Sequence, residues 1–166
     1  MQPSFPQAPL RAAVISTFEE LGFLFPTPVT DLPPAAGRLA TVRFHGAVTG
    51  RMELCISESL LPVLAANMLG IAESPVRLLQ DDALRELSNV VCGNVMPAVA
   101  GVEAIVHLDA PVLTPGWVTC AGAEPSADTP PGTAGAAPAT YVVARNAFRF
   151  DEGSAVVTLM LAVAQA

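Results

Sequence analysis

Between Thr41 and Ser57 the large aliphatic and aromatic residues keep to even positions: Val42, Phe44, Val48, Met52, Leu54 and Ile56. Arg43, His45, Arg51 and Glu53 hold the odd ones. A period of two means extended chain with one buried and one wetter face, and Thr49-Gly50 is the predicted turn. The segment therefore reads as an antiparallel hairpin. A lone hairpin is at best marginally stable in water, so the rest of the chain must cover its apolar face. Gly46, inside the first strand, predicts a bulge or a close backbone approach. His45 falls on the wetter face and reads as a surface residue.

Helical spacing supplies the cover. Leu10, Val14, Phe18, Leu21 and Phe25 predict a helix from about Ala8 to Leu24, stopped by Pro26 and Pro28. The proline-rich stretch Thr27–Gly37 reads as a crossing loop. Ser59 is the predicted cap of a helix over Leu60–Leu69, with Pro62 in its first turn and Gly70 at its C-terminal cap. A longer helix is predicted from Gln80 to Ala100, with Leu84, Leu87, Val91, Val95 and Ala98 as its apolar stripe and a bend near Gly93 and Pro97. A strand over Ala104–Leu113 follows, closed by Pro111 and Pro115, with His107 read as structural. The last strands are Tyr141–Phe150 and Ala155–Ala164, joined by the turn Asp151-Glu152-Gly153. Val157, Leu159, Leu161 and Val163 make one face of the final strand apolar, and Val156 and Met160 do the same for the other. Such a strand is central in its sheet or covered by a second subunit, so a homodimer is expected. Residues Ala121–Ala139 consist of weakly apolar, Gly-, Ala- and Pro-rich sequence and read as a flexible loop, with a partner-binding segment as the sharper alternative. The expected architecture is one domain over residues 1–166, α/β of the α+β type, with helices packed on a mainly antiparallel sheet.

Hydrophobic residues make up 52% of the chain and charged ones 14%, which supports a packed core and argues against disorder. The net charge of −7 disfavours nucleic acid and anionic membrane surfaces as partners. The richest apolar run, Ala155–Ala164, is too short to span a bilayer, and the first residues carry no leader pattern. A cytoplasmic protein is expected. Cys55, Cys92 and Cys120 are odd in number and lack metal-ligand spacing, so they are expected to be reduced and mostly buried. No metal site is expected.

The first and third helices agree at an offset of 66. Phe18, Leu21 and Phe25 align with Leu84, Leu87 and Val91, and Ser16 and Glu20 with Asp82 and Glu86. The agreement ends at Phe23, which stands where Asn89 stands. A true repeat would make the domain two pseudo-symmetric halves, with only the second keeping the polar pair.

That pair belongs to a stripe. Asp82, Glu86, Asn89 and Gly93 are spaced four, three and four, which places them along one helix face opposite the apolar one. Gly93 keeps the surface beside Asn89 low. A carboxylate and an amide contain no nucleophile, metal set or general base for an autonomous hydrolase. A primary amide can, however, orient a water, and a carboxylate can pair with a lysine across an interface. On the residues alone, such a face is most often simply solvated.

The stretch DDALRELSNVVCGNVM resembles the motif helix of the CheC/CheX chemotaxis phosphatases, whose pattern is an acidic or serine residue, three others, Glu, two others, Asn, and a proline about 23 positions on. Asp82, Glu86 and Asn89 match it, and Pro111 falls one position short. The hairpin RFHGAVTGRMELCIS with SLLPVLAANMLG after it is similar to that family's strand–Gly–strand–helix segment. The resemblance covers roughly Ala8 to Pro111, and the last two strands more loosely. It implies a phosphatase acting on the aspartyl phosphate of a CheY-like response-regulator receiver. Asn89 would orient the water, Glu86 would hold the receiver's lysine, and Asp82 and Gly93 would lie in the contact surface. No cofactor is expected on this chain; the Mg²⁺ would sit on the receiver. Phe23 in place of a first Asn points to the single-site, CheX-like group, whose members form homodimers. Two rivals stay open: a non-catalytic binding module of the same fold, similar to flagellar switch proteins, and an unrelated α/β domain with a deep apolar pocket away from Glu86.

Overall fold

The computed structural model describes residues 7–120 and 140–162. Its elements run α1 (Gln7–Gly22), β1 (Thr27–Val29), β2 (Ala35–Gly46), β3 (Gly50–Ser57), α2 (Leu61–Leu69), α3 (Arg77–Ala100), β4 (Val106–Leu108), β5 (Val112–Leu113), β6 (Val118–Cys120), β7 (Thr140–Arg149) and β8 (Ser154–Ala162). They form one antiparallel sheet in the order β1-β7-β8-β3-β2-β4, with β5 and β6 also pairing with β2. Buried residues of α1, α2 and α3 and of the sheet form one cluster, in which Phe18 meets Phe150 at 4.8 Å between ring centroids. The fold is thus mixed helix and antiparallel sheet, as the hairpin and helical periodicities predict.

The hairpin keeps its predicted faces. Val42, Phe44, Met52, Leu54 and Ile56 are buried, while Arg43 and His45 are exposed. Gly46 adopts φ 125°, and an added Cβ there would lie 2.6 Å from the Ile105 carbonyl, so this is the close approach the glycine suggested. Strand β8 lies between β7 and β3, so its two-sided apolar character is explained by a central place in the sheet. Gly70 caps α2 in the left-handed region at φ 66°, and Pro62 occupies its first turn. Leu60, not Ser59, is the N-cap, without a side-chain bond; Ser59 instead lies 3.3 Å from Ser57.

Other expectations are corrected. Thr27–Val29 is an edge strand paired with β7, and β2 already begins at Ala35, so the proline-rich crossing loop is shorter than expected. Pro28 is tolerated because an edge strand need not donate on both sides. Helix α1 ends at Gly22, and Phe25, expected in the core, is 76% exposed. Ala98 is exposed, and Cys92 and Met96 are buried on the inner face of α3 instead. His107 is exposed and stacks on His45 across β2 and β4, with ring centroids 5.4 Å apart. Cys55 and Cys120 are joined in a disulfide; of the three cysteines only Cys92 is free. Gly37 makes room for this bridge, because a Cβ there would collide with the Cys120 sulfur. The predicted loop at 121–139 lies outside the described residues.

The predicted strand after α3 is broken. Phe44 faces Leu108 whereas Thr41 faces Val112, so three steps along β2 meet four on the other side. The extra residue falls at Asp109-Ala110-Pro111, where a proline without an N–H does least harm. A second slip, of two residues, separates β5 from β6 at Thr114–Trp117.

Candidate functional site

Helix α3 is amphipathic in three dimensions as in sequence. Ala83, Leu84, Leu87, Ser88, Val91, Cys92, Val95 and Met96 are buried. Asp82, Glu86, Asn89 and Gly93 are exposed and share one stripe on the opposite side. The structure therefore brings all four predicted site residues to a single solvent face. At three residues' separation Glu86 and Asn89 are neighbours, with Cβ atoms about 5–6 Å apart.

Among the described residues, neither Glu86 nor Asn89 makes a side-chain hydrogen bond or ion pair within the chain. Other polar side chains of α3 are engaged. The Arg85 guanidinium donates to Asp82 Oδ1 at 2.9 Å, Ser88 Oγ donates to the Leu84 carbonyl at 2.7 Å, and Asn94 Nδ2 donates to Thr17 Oγ1 at 3.1 Å. The two unpaired groups are those to which the sequence resemblance assigns the lysine and the water. Gly93 adds a second oddity: a Cβ there would meet nothing within 4 Å, so no packing within the chain requires a glycine. Mid-helix glycine costs about 1 kcal/mol relative to alanine.

The helix is held firmly beneath this face. The inner thiol, Cys92, is buried deeply enough that desolvation pushes its pKa up to about 12. At the N-terminal end, Arg38 on β2 donates to both carboxylate oxygens of Asp81, at 3.2 and 2.9 Å. The same guanidinium donates to the carbonyls of Thr114 and Gly116, at 3.1 and 2.7 Å, within the second register slip. Arg77 also donates to Asp81, and its guanidinium lies 4.1 Å from the centre of the Trp117 ring. Sequence reading missed this anchor. Arg38 stands on an even position of β2 among apolar residues, and that was the available signal.

No group of three or more His, Cys, Asp or Glu among the described residues is arranged to hold a metal ion. A cavity of about 480 Å³ lined by Arg11, Pro28, Val29, Thr30, Asp31 and Arg149 lies away from α3. Its charged lining differs from the deep apolar pocket that a small-molecule domain would show. No helix among the described residues is long and apolar enough to cross a membrane.

Comparison with known proteins bears on the sequence and the fold. Residues 38–117, from within β2 through α3 to the residue before β6, match a family model described as chemotaxis phosphatase CheX. The fold is similar to CheX from Vibrio vulnificus, with TM-score 0.69 and 16% identity over 93% of this chain and 94% of that one. It is similar to CheX from Desulfovibrio desulfuricans at TM-score 0.68 and 16% identity, covering 93% and 97%. It also matches the Borrelia burgdorferi CheX-CheY-BeF3-Mg+2 complex at TM-score 0.55 and 11% identity, covering 97% and 99%. No curated protein matches the chain.

Proposed function

We propose that this chain, CheX-like over its central sequence and in its fold, hydrolyses the aspartyl phosphate of a CheY-like receiver domain. The observation that carries the reading is the pair Glu86 and Asn89, exposed, adjacent and unpaired on a helix whose other face is fixed in the core. The Borrelia relative forms a complex with CheY, which supports a partner of that class.

In this reading the partner supplies the electrophile, the Mg²⁺ and most of the positive charge. Phosphoryl transfer needs little covalent chemistry from the protein and depends on positioning and electrostatics. The Asn89 amide offers one acceptor and one donor within reach of a single water. Its Oδ1 would accept a hydrogen bond from that water and so aim the water's lone pair at phosphorus, in line with the departing aspartate oxygen. Glu86 would pair with a receiver lysine and fix the approach. Asp82 and Gly93 would border the contact, the glycine by letting the receiver backbone come close.

The test is dephosphorylation of acetyl-phosphate-charged receivers from the same genome. Asn89→Ala should slow the catalysed reaction about 100-fold, the scale of lost reactant positioning. Equal rates for mutant and wild type would sink the assignment. A second reading, a non-catalytic receiver-binding module, draws support from Pro111 falling one position short of the motif. It predicts receiver binding with no change in phosphate lifetime. A homodimer is a separate proposal that rests on the CheX-like resemblance, since the two-sided apolar strand is accounted for by its central place in one chain. Light scattering at micromolar concentration should then give twice the 17.1 kDa chain mass.

A further inference from the structure

The stripe that carries Glu86 and Asn89 does not begin at Asp82. Leu78 lies one turn before it, in the first turn of α3, and is 67% exposed. At about 100° per residue, Leu78, Asp82, Arg85 and Asn89 fall within an arc of about 60°, with Glu86 and Gly93 on its flank. Leu78 therefore does not belong to the buried side, where Leu84, Leu87 and Val91 are fully covered. Its backbone is also held in place. Arg77 beside it is tied to Asp81 and stacked on Trp117, and Gln80 Nε2 donates to the Pro75 carbonyl at 2.8 Å. A large apolar side chain is thus presented to solvent from a fixed helix turn, in line with two unpaired polar groups.

We infer that Leu78 is the apolar anchor of the receiver-docking surface and a specificity-determining residue for the dephosphorylation reaction. The inference rests on the receiver reading above and adds a requirement on the partner. The rise of 1.5 Å per residue puts Leu78 about 16 Å along the helix from Asn89. The receiver must then present an apolar depression about 16 Å from its phosphorylated aspartate, and a cation between the two to meet Glu86. The Asp82–Arg85 pair lies between anchor and active pair with both charges already matched, so it asks for no counter-charge from the partner. A few interface residues carry most of the binding energy, flanked by contacts of small net energy.

The experiment measures steady-state dephosphorylation of a charged receiver over a range of receiver concentrations. Leu78→Asp should raise KM about tenfold or more and leave kcat within about twofold, since it removes an anchor far from the reacting atoms. Leu69→Asp, at an apolar residue of α2 that is 47% exposed, should leave both constants unchanged, and thermal unfolding of each variant verifies the fold. An unchanged KM for Leu78→Asp beside an active wild type overturns the anchor and leaves the receiver reading standing. If the wild type binds without hydrolysing, titration with beryllofluoride-charged receiver replaces KM, and Kd should rise by the same factor. An unchanged Kd again overturns the anchor. A wild type that neither binds nor hydrolyses any receiver overturns both.

Discussion

Arg38 and Asp81 meet through two parallel hydrogen bonds of 3.2 and 2.9 Å, joining the second strand to the N-terminal part of the helix that carries Glu86 and Asn89. The two side chains are 9% and 15% exposed. Asp82, the next residue, points the other way and is 59% exposed in its pair with Arg85. Adjacent aspartates therefore have opposite surroundings, one largely covered and one on the solvent face.

The energetic consequence follows from burial. Removing one partner of a buried ion pair leaves the other charge unmatched and typically costs about 3–5 kcal/mol. Asp81→Ala should therefore destabilise the fold by about 3 kcal/mol in urea unfolding, since Arg38 would keep only its two carbonyl acceptors. Asp82→Ala removes a surface pair and should cost less than about 0.5 kcal/mol. Equal losses from the two variants would contradict the assignment of Asp81 as the anchor.

The disulfide makes a chemical prediction. Cys55 and Cys120 are separated by 65 positions, with Cα atoms 5.7 Å apart. Closing a loop of that length should stabilise by about 2–4 kcal/mol, so reduction or Cys55→Ser with Cys120→Ser should lower unfolding stability by that amount. Cys92 gives the matching thiol count. Its pKa of about 12 keeps it protonated and unreactive in the native protein at pH 8. Native protein should show no titratable thiol, unfolded protein one, and unfolded reduced protein three. Because burial favours the neutral thiol, its stabilising contribution is complete below pH 9 and is lost as pH rises towards 12, where the unfolded chain has already ionised. Cys92→Ala should flatten that part of the alkaline stability profile.

What could be read in advance was what periodicity encodes. The faces of β2 and β3, the existence of three helices, the central strand β8 and the exposed stripe on α3 all follow from spacings of two and of three or four. The misses have a different cause. The Cys55–Cys120 bridge depends on how β6 folds back along β2, and no local pattern reports that. The Arg38 anchor joins residues 43 positions apart. The edge strand β1 is only three residues long, below the length at which alternation is visible. Phe25 has a helical spacing but follows the end of the helix, and periodicity does not locate helix ends.

Gly93 separates a structural role from a docking one. It sits inside α3 with open space where a Cβ would be. Gly93→Ala should raise the unfolding free energy by about 0.5–1 kcal/mol, as expected for a mid-helix glycine without steric duty. If the receiver backbone approaches there, the same methyl should raise KM for dephosphorylation several-fold. More stable protein with weaker docking is the expected combination; a stabilised variant with unchanged KM would remove Gly93 from the contact surface.

The repeat between α1 and α3 predicts its own limit. Thr17, Phe18 and Gly22 are buried as Ala83, Leu84 and Ser88 are, and both Thr17 and Ser88 donate to the carbonyl four residues back. The correspondence then stops, because α1 ends at Gly22 and Phe23 takes a positive φ of 50°. Asparagine enters this left-handed region more readily than phenylalanine, and Phe23 is 66% exposed, so little packing is lost on replacement. Phe23→Asn should leave stability unchanged or raise it by a few tenths of a kcal/mol. It should not create a second site, although it restores the amide at the repeat position. Residue 23 lies beyond the helix, so its side chain does not share a face with Glu20 as Asn89 does with Glu86. In an Asn89→Ala background, Phe23→Asn should leave the dephosphorylation rate at the single-mutant level. Recovery of activity would mean that the helix extends past Gly22 when the receiver docks.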